Sequence, residues 1–274
     1  MNCVATSNLQ PTQDHRHQNH ALGCQLTVFC DFDGPIVDVS RRYYTTYQLA
    51  LAATQAFYQA QGITLPINSL SKQQFWEMKR SRIPDVDIAS NSGLHQEQID
   101  FFLSRVVEIV NHPTVLHQDK LQLGVNWALS LLHSRCVRLV LVTLRSQSQA
   151  TQILRNHGLT RLFGGIYGTS DRHAAYRNYT NLKKQLLQQA MAEQLPSSEP
   201  TGSAWMVGDT EADIVAAQAL SLPTIALTCG IRSFSYLQQF EPTYIYTDLL
   251  TAAQHLLGFR SNQSLTTLGI GNRE

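Results

Sequence analysis

The chain has 274 residues, 43% of them hydrophobic and 15% charged. That suits one large domain or two small ones with a sizeable core, and excludes an overall disordered chain. Lysine and arginine (21) nearly balance aspartate and glutamate (20), for a net charge of +1, so no nucleic-acid partner is expected. No apolar stretch reaches the length of a membrane span.

From the N-terminus, Met1 to Gln25 is polar, lacks the hydrophobic centre of a secretory signal and reads as a flexible leader over 1–24. Its His15, His17 and His20 fit no structural zinc spacing. Leu26 to Cys30 is a continuous apolar run rich in β-branched and aromatic residues, which reads as a strand buried on both faces. After Asp38 the period becomes helical: Tyr44, Tyr47, Leu51 and Tyr58 share a face, and Gly62 is a natural stop. Ser71 and Gln74 form a capping-box pattern ahead of Phe75, Trp76 and Met78, in a segment closed by Pro84. Ile99, Phe102, Leu103, Val106 and Val110 mark another amphipathic helix, ended by Asn111-His112-Pro113. Residues 41–117 therefore read as an inserted helical unit without a convincing strand.

Alternation resumes beyond it. Strands are expected at Val137 to Val142, Gly165 to Gly168, Ala204 to Val207, Thr224 to Leu227 and Tyr244 to Tyr246. Helices are expected at Gly124 to His133, Gln147 to Asn156, Leu182 to Glu193, Ile214 to Leu220 and from Asp248 through Leu257. Strands alternating with helices imply right-handed βαβ units and a parallel sheet formed by 25–40 and 118–258. The tail, 259–274, is rich in Asn, Ser, Thr and Gly and reads as loose. The five cysteines form no CxxC pair and suit a reducing compartment, so a cytoplasmic location is expected.

The strand ends carry the chemistry. Asp31-Phe32-Asp33-Gly34 follows the first strand, Thr143 and Arg145 the second, and Gly208-Asp209 with Asp213 the third long one; Lys183-Lys184 opens the helix before it. In open α/β sheets this carboxyl edge is where ligands bind. Two carboxylates placed together there repel unless a cation or proton lies between them. Oxygen ligands of this kind suit Mg2+. One freed carboxylate can attack phosphorus, and the other can move a proton to the leaving oxygen and then from water. A hydroxyl and an ammonium can hold the phosphoryl oxygens.

In these motifs the chain resembles the haloacid dehalogenase superfamily of phosphohydrolases. Asp31, Asp33, Gly34 and Asp38 match its DxDGxxxD stretch, Thr143 its second motif, a lysine near 183 its third, and Gly208, Asp209 and Asp213 its GDxxxD stretch. The resemblance covers Leu26 to Leu257. It implies a doubly wound, Rossmann-like α/β core with an inserted α-helical cap domain over 41–117. It also implies Asp31 as nucleophile, Asp33 as general acid/base, and Mg2+ held by Asp31, Asp209 and the backbone carbonyl of Asp33, with Asp213 nearby.

Pro35 replaces the Thr common after this motif, and the third motif lacks its frequent Lys-Pro pair. Lys183 is favoured because Leu186 and Leu187 follow it; Lys184 is the alternative. Within the superfamily, Asp33 favours phosphate chemistry over dehalogenation. The expected function is hydrolysis of a small phosphorylated metabolite by a monomer or homodimer of the phosphoglycolate phosphatase or β-phosphoglucomutase type. A sugar-phosphate mutase is the alternative, and a non-catalytic binding or regulatory protein is a reading of another class. For substrate, Gly34 and Arg145 on the core and Lys79 and Arg80 on the cap are the candidate contacts, with Tyr43, Tyr44, Trp76 and Arg82 as further cap residues.

Overall fold

The computed structural model describes residues 26–171, 173–195 and 203–259. The leader with its histidines, and the tail beyond Phe259, lie outside them. The first strand, β1 (Thr27–Cys30), is buried along its whole length, because helices cover both faces of the sheet it centres. A two-residue strand, β2 (Val37–Asp38), follows, and then come five helices: α1 (Ser40–Gln59), α2 (Lys72–Arg80), α3 (Asp85–Asn91), α4 (Glu97–Ile109) and α5 (Pro113–Leu116). The chain returns through β3 (Lys120–Leu121), which pairs antiparallel with β2. It continues as α6 (Val125–Ser134), β4 (Arg138–Ser146), α7 (Gln147–Asn156), β5 (Gly165–Thr169), α8 (Ala174–Arg177) and α9 (Thr180–Gln194). The last elements are β6 (Ala204–Gly208), α10 (Glu211–Gln218), β7 (Thr224–Leu227), α11 (Phe234–Gln238), β8 (Tyr244–Tyr246) and α12 (Leu249–Leu256).

The main sheet has six strands in the order β5-β4-β1-β6-β7-β8, all parallel. Counted along the chain without the β2–β3 pair, that order is 3-2-1-4-5-6, the doubly wound arrangement. Its winding reverses beside β1, between the strands that carry Asp31 and Asp209. The Asp31 amide donates to the Val207 carbonyl at 2.9 Å, which binds the end of β1 to β6 at this crevice.

In α1, Tyr43, Tyr47, Ala50, Leu51 and Thr54 are buried, a helical stripe that packs on α4 and α2. Tyr47 stacks on Phe75 with ring centroids 4.9 Å apart, and its hydroxyl bonds Ser92 at 2.8 Å and accepts the Leu70 amide at 2.8 Å. The capping box opening α2 is formed: Gln74 donates its amide to Ser71 Oγ, and Ser71 donates its own to Gln74 Oε1.

Three local features differ from the sequence reading. The second core strand runs on to Ser146, because a register shift after Val142 lets β4 continue beside β5; Thr143 thus sits inside a strand. Pro84 closes the α2 segment, which stops at Arg80. It also stands at the N-cap of α3, a helix the sequence reading does not include, since a proline just ahead of a helix removes only an amide that would be left over. The short pieces α5, α8, α11 and the β2–β3 pair are two to five residues long, too brief to show a period.

Candidate active site

The turn that follows β1 is built by its own backbone. Ile36 and Val37 donate to the Phe32 carbonyl, and the Gly34 amide donates to the Val37 carbonyl at 2.8 Å. Pro35 therefore leaves the turn intact. Gly34 has φ +99°, and a Cβ there would lie 2.1 Å from the Asp209 carboxyl carbon. On the other side, a Cβ on Gly230 would lie 2.0 Å from Asp209 Oδ2, and one on Gly208 would lie 2.2 Å from the Asp213 carboxyl carbon. Bare backbone at these three positions is what lets the carboxylates enter the crevice.

Asp213 is oriented by the start of α10: its Oδ2 accepts from the Thr210 amide at 3.1 Å and the Thr210 hydroxyl at 2.9 Å. Its Oδ1 lies 2.7 Å from Lys183 Nζ, which lies 2.7 Å from Asp31 Oδ1 as well. Lys183, buried to 1% exposure, is the lysine that α9 sends into the crevice. Burial lowers the pKa of that ammonium, but Asp213 and Asp31 more than reverse the effect and raise it. Burial, with Asp213 and Asp33 adding to it against Lys183, pushes the Asp31 carboxyl up from 3.8 to about 7. Asp209 is also raised well above the carboxylate range, by burial first and then by Asp31 and Asp213.

Asp209 Oδ2 accepts the Ile231 amide at 2.6 Å. Its Oδ1 is buried and has no hydrogen-bond partner, and Asp31, Asp209 and Asp213 each contribute one oxygen to a set lying within 4.8 Å of one another. An orphaned carboxylate oxygen among hard oxygen donors fits Mg2+. Asp38 lies apart from this group: its Oδ1 accepts the Ser40 amide at 2.8 Å and caps the start of α1.

Above the carboxylates is a cavity of about 40 Å³, lined on the core side by Asp31, Asp33, Thr143, Asp209 and Thr210. Tyr43, Lys79 and Arg82 line it from the helical segment. That is room for a few waters. Lys79 is buried with its ammonium 2.8 Å from Asp85 Oδ1 and 4.9 Å from the centre of the Tyr176 ring. Burial lowers the Lys79 pKa, against the pull of Asp85. Arg82 reaches across to the core and meets Glu211 at 3.0 Å; Arg232 holds the same carboxylate at 2.9 Å and donates to the Lys79 carbonyl at 3.0 Å.

Two candidate substrate contacts meet protein groups through part of their guanidinium. Arg145 is buried with its Nε and Nη2 on Asp33 and Asp119, and its Nη1 is buried without a hydrogen-bond partner. Arg80 donates to the Thr228 carbonyl at 3.3 Å and is not among the cavity-lining residues. Conversely, Arg42, Asp119, Glu211 and Arg232 matter to the site and were not singled out in sequence. Arg42 opens a helical segment as a charged residue ahead of its apolar face, Asp119 stands in a polar stretch without periodicity, and Glu211 hides among the unspecified positions of the GDxxxD stretch.

A model of haloacid dehalogenase-like hydrolases matches residues 28–227, which spans most of the sheet and every carboxylate described above. The chain belongs to this family. Among solved structures with the same fold are a Clostridium difficile protein assigned as a phosphatase and a phosphoglycolate phosphatase assigned by prediction from Haemophilus somnus. The first is 19% identical with a TM-score of 0.63, covering 84% of this chain and 97% of that one. The second is 17% identical with a TM-score of 0.58, covering 85% and 98%. The pyrophosphatase PpaX of Halalkalibacterium halodurans is 30% identical over 132 residues, which is 47% of this chain and 58% of that protein. The match thus spans little more than half of that curated relative. This haloacid dehalogenase-like hydrolase gathers Asp31, Asp209 and Asp213 at one sheet edge, with Asp38 apart from them. No helix among the described residues is long and apolar enough to cross a membrane.

Proposed function

We propose that the protein is a Mg2+-dependent phosphatase that hydrolyses a small phosphorylated metabolite through an aspartyl-phosphate on Asp31. The observation that carries this reading is the Lys183 ammonium, 2.7 Å from both Asp31 and Asp213 at the carboxyl edge of the sheet. It fixes the nucleophile's oxygen beside a positive charge that can also receive a phosphoryl oxygen.

Asp31, Asp209 and the Asp33 carbonyl would hold the Mg2+, with Asp213 nearby. The ion supplies charge neutralisation at the phosphoryl oxygens and screens the approach of one anion to another. In the first step Asp31 forms a bond to phosphorus, the ester P–O bond breaks, and Asp33 gives a proton to the departing oxygen. In the second, Asp33 takes a proton from a water that attacks the aspartyl-phosphate, and the bond to Asp31 breaks to release phosphate. Thr143 donates its hydroxyl to the phosphoryl oxygens, and Lys183 offsets their charge.

The helical segment 41–117 acts as the cap. With room for only a few waters beneath it, a substrate larger than a phosphoryl group requires it to move. Pyrophosphate, the substrate named for the PpaX relative, and phosphoglycolate are the first compounds to try. The test is release of inorganic phosphate from these, from sugar monophosphates and from p-nitrophenyl phosphate, with and without Mg2+. The expected result is Mg2+-dependent release that Asp31→Asn abolishes. Full activity in Asp31→Asn, or no release from any substrate, overturns the reading; conversion without net release moves it to a mutase.

A further inference from the structure

Asp33 is not held by the turn that carries it. Its Oδ1 lies 2.8 Å from Arg145 Nε, and its Oδ2 accepts from Arg145 Nη2 at 3.1 Å and from Arg42 Nη2 at 3.3 Å. Both guanidinium groups also meet a second carboxylate. Asp119 Oδ1 accepts from Arg42 Nε at 2.8 Å, and its Oδ2 accepts from Arg145 Nη2 at 2.6 Å. The four side chains form a closed ring of alternating charge, two positive and two negative. Three are sealed from solvent, with side-chain exposures of 2% for Arg42, 3% for Arg145 and 2% for Asp119; Asp33 alone is open, at 16%. Asp119 is not among the residues that line the cavity, whereas Asp33 is.

We infer that Asp119 is a positioning residue for proton transfer by Asp33, acting through Arg42 and Arg145. The physical argument is one of charge and reach. Two buried guanidiniums facing a single carboxylate would leave a surplus positive charge beside the substrate, and each would be drawn fully onto Asp33. Asp119 takes up that charge from behind and divides each guanidinium between two acceptors. The planar fork of arginine allows this, since its donors diverge in fixed directions. Arg42 is fixed further by donating Nη1 to the Val110 carbonyl at 3.0 Å. Both oxygens of Asp33 are thereby fixed by guanidinium nitrogens at the wall of the cavity that Asp33 lines.

The ring joins four separate stretches of chain. Asp33 follows β1 and Arg145 lies on β4, while Arg42 begins the outgoing helix α1 and Asp119 precedes the returning strand β3. The two connections between sheet and cap are therefore tied to each other and to Asp33 by one set of ion pairs.

This inference rests on the role of Asp33 given under Proposed function, and the test separates the two. The probes are p-nitrophenyl phosphate and phenyl phosphate with Mg2+, which differ little in size but greatly in how much the leaving oxygen needs a proton. If Asp119 positions Asp33, Asp119→Asn lowers kcat/KM for phenyl phosphate about tenfold or more beyond its effect on p-nitrophenyl phosphate, a fraction of the full worth of a general acid. Asp119→Glu restores part of that ratio. Asp33→Asn is the control and shows the larger discrimination. Equal losses on both probes in Asp119→Asn, with discrimination in Asp33→Asn, overturn the positioning role alone. No discrimination in Asp33→Asn, or no hydrolysis of either probe by the wild type, removes the role of Asp33 and this inference with it. Should Asp119→Asn not fold, Arg42→Lys carries the same comparison, because one ammonium cannot reach both carboxylates in the arginine's geometry.

Discussion

Replacing Lys183 with methionine removes one positive charge and leaves the stem's packing largely in place. The ammonium lies 2.7 Å from Asp31 and 2.7 Å from Asp213, and Asp209 completes a set of three carboxylates within 4.8 Å. Breaking a buried ion pair by deleting one partner costs about 3–5 kcal/mol, because the remaining charge stays in a poorly solvating site. For a folded body of this size each kcal/mol moves Tm by about 2–4 °C, so a drop of roughly 6–20 °C follows. The loss depends on pH. The Asp31 pKa rises from 3.8 to about 7 on folding, so the folded state binds this proton more tightly than the unfolded chain. The resulting stability is fully present below about pH 4 and is lost as the pH rises through about 7. Without Lys183 the Asp31 pKa climbs further, so the protonated form persists at pH 6 and the deficit is smallest there.

Thermal melts of wild type and Lys183→Met at pH 6 and pH 8, in EDTA and then in Mg2+, read this out. The deficit is expected to widen from pH 6 to pH 8, and to shrink when Asp213→Asn is added, since one uncompensated carboxylate is then gone. A Lys183→Met protein that melts within about 2 °C of wild type at pH 8 in EDTA refutes the reasoning. The ammonium would then not be what holds the carboxylates together.

Other consequences follow from the same geometry. Mg2+ should bind more weakly as the pH falls, because burial raises the carboxyls of both Asp31 and Asp209 and any proton on them is displaced as the ion enters. Calorimetric titration at pH 6, 7 and 8 in buffers of different ionisation enthalpy counts the protons released. Gly34→Ala puts a methyl group 2.1 Å from the Asp209 carboxyl carbon at φ +99°, so Mg2+-dependent thermal stabilisation and phosphatase activity should both be lost, as melts and phosphate assays will show. Glu211→Gln removes the carboxylate shared by Arg82 and Arg232, which joins cap to core. It should cost about 1–3 kcal/mol and speed proteolysis near Arg82, a change visible by mass spectrometry of the first cleavage products.

The parts of the molecule that show in its sequence are those in which local chemistry repeats or concentrates. Val28, Phe29 and Cys30 are wholly buried because a central parallel strand is covered on both faces, so burial appears as an unbroken apolar run. Ser71 and Gln74 are legible for a similar reason, since the capping box is closed within four residues. Six of the motif residues come together from one sheet edge and the helices beside it: Asp31, Asp33 and Asp209 follow buried strands, Thr143 lies within β4, and Lys183 and Asp213 reach in from α9 and α10. Asp119 obeys none of these rules. It precedes a two-residue strand, its partners Arg42 and Arg145 are 77 and 26 residues away in the chain, and no period or cap marks it. Its significance arises only when three distant segments close around Asp33. Arg145 shows the same limit from the other side: a basic residue beside the second motif suggests a substrate anion, yet folding supplies two carboxylates before any substrate arrives. Charges in such a site are therefore partitioned by tertiary contact. Lys183 is committed to the nucleophile, and Arg42 and Arg145 to the proton-transfer group. Of the basic residues that line the cavity, Lys79 is paired with Asp85 inside the helical segment and Arg232 with Glu211 inside the core. Arg82 meets Glu211 across the two, so movement of the cap separates the Arg82–Glu211 pair. A second anionic group on the substrate that met Arg82 would have to compete with Glu211, so substrate choice and cap movement draw on that same ion pair.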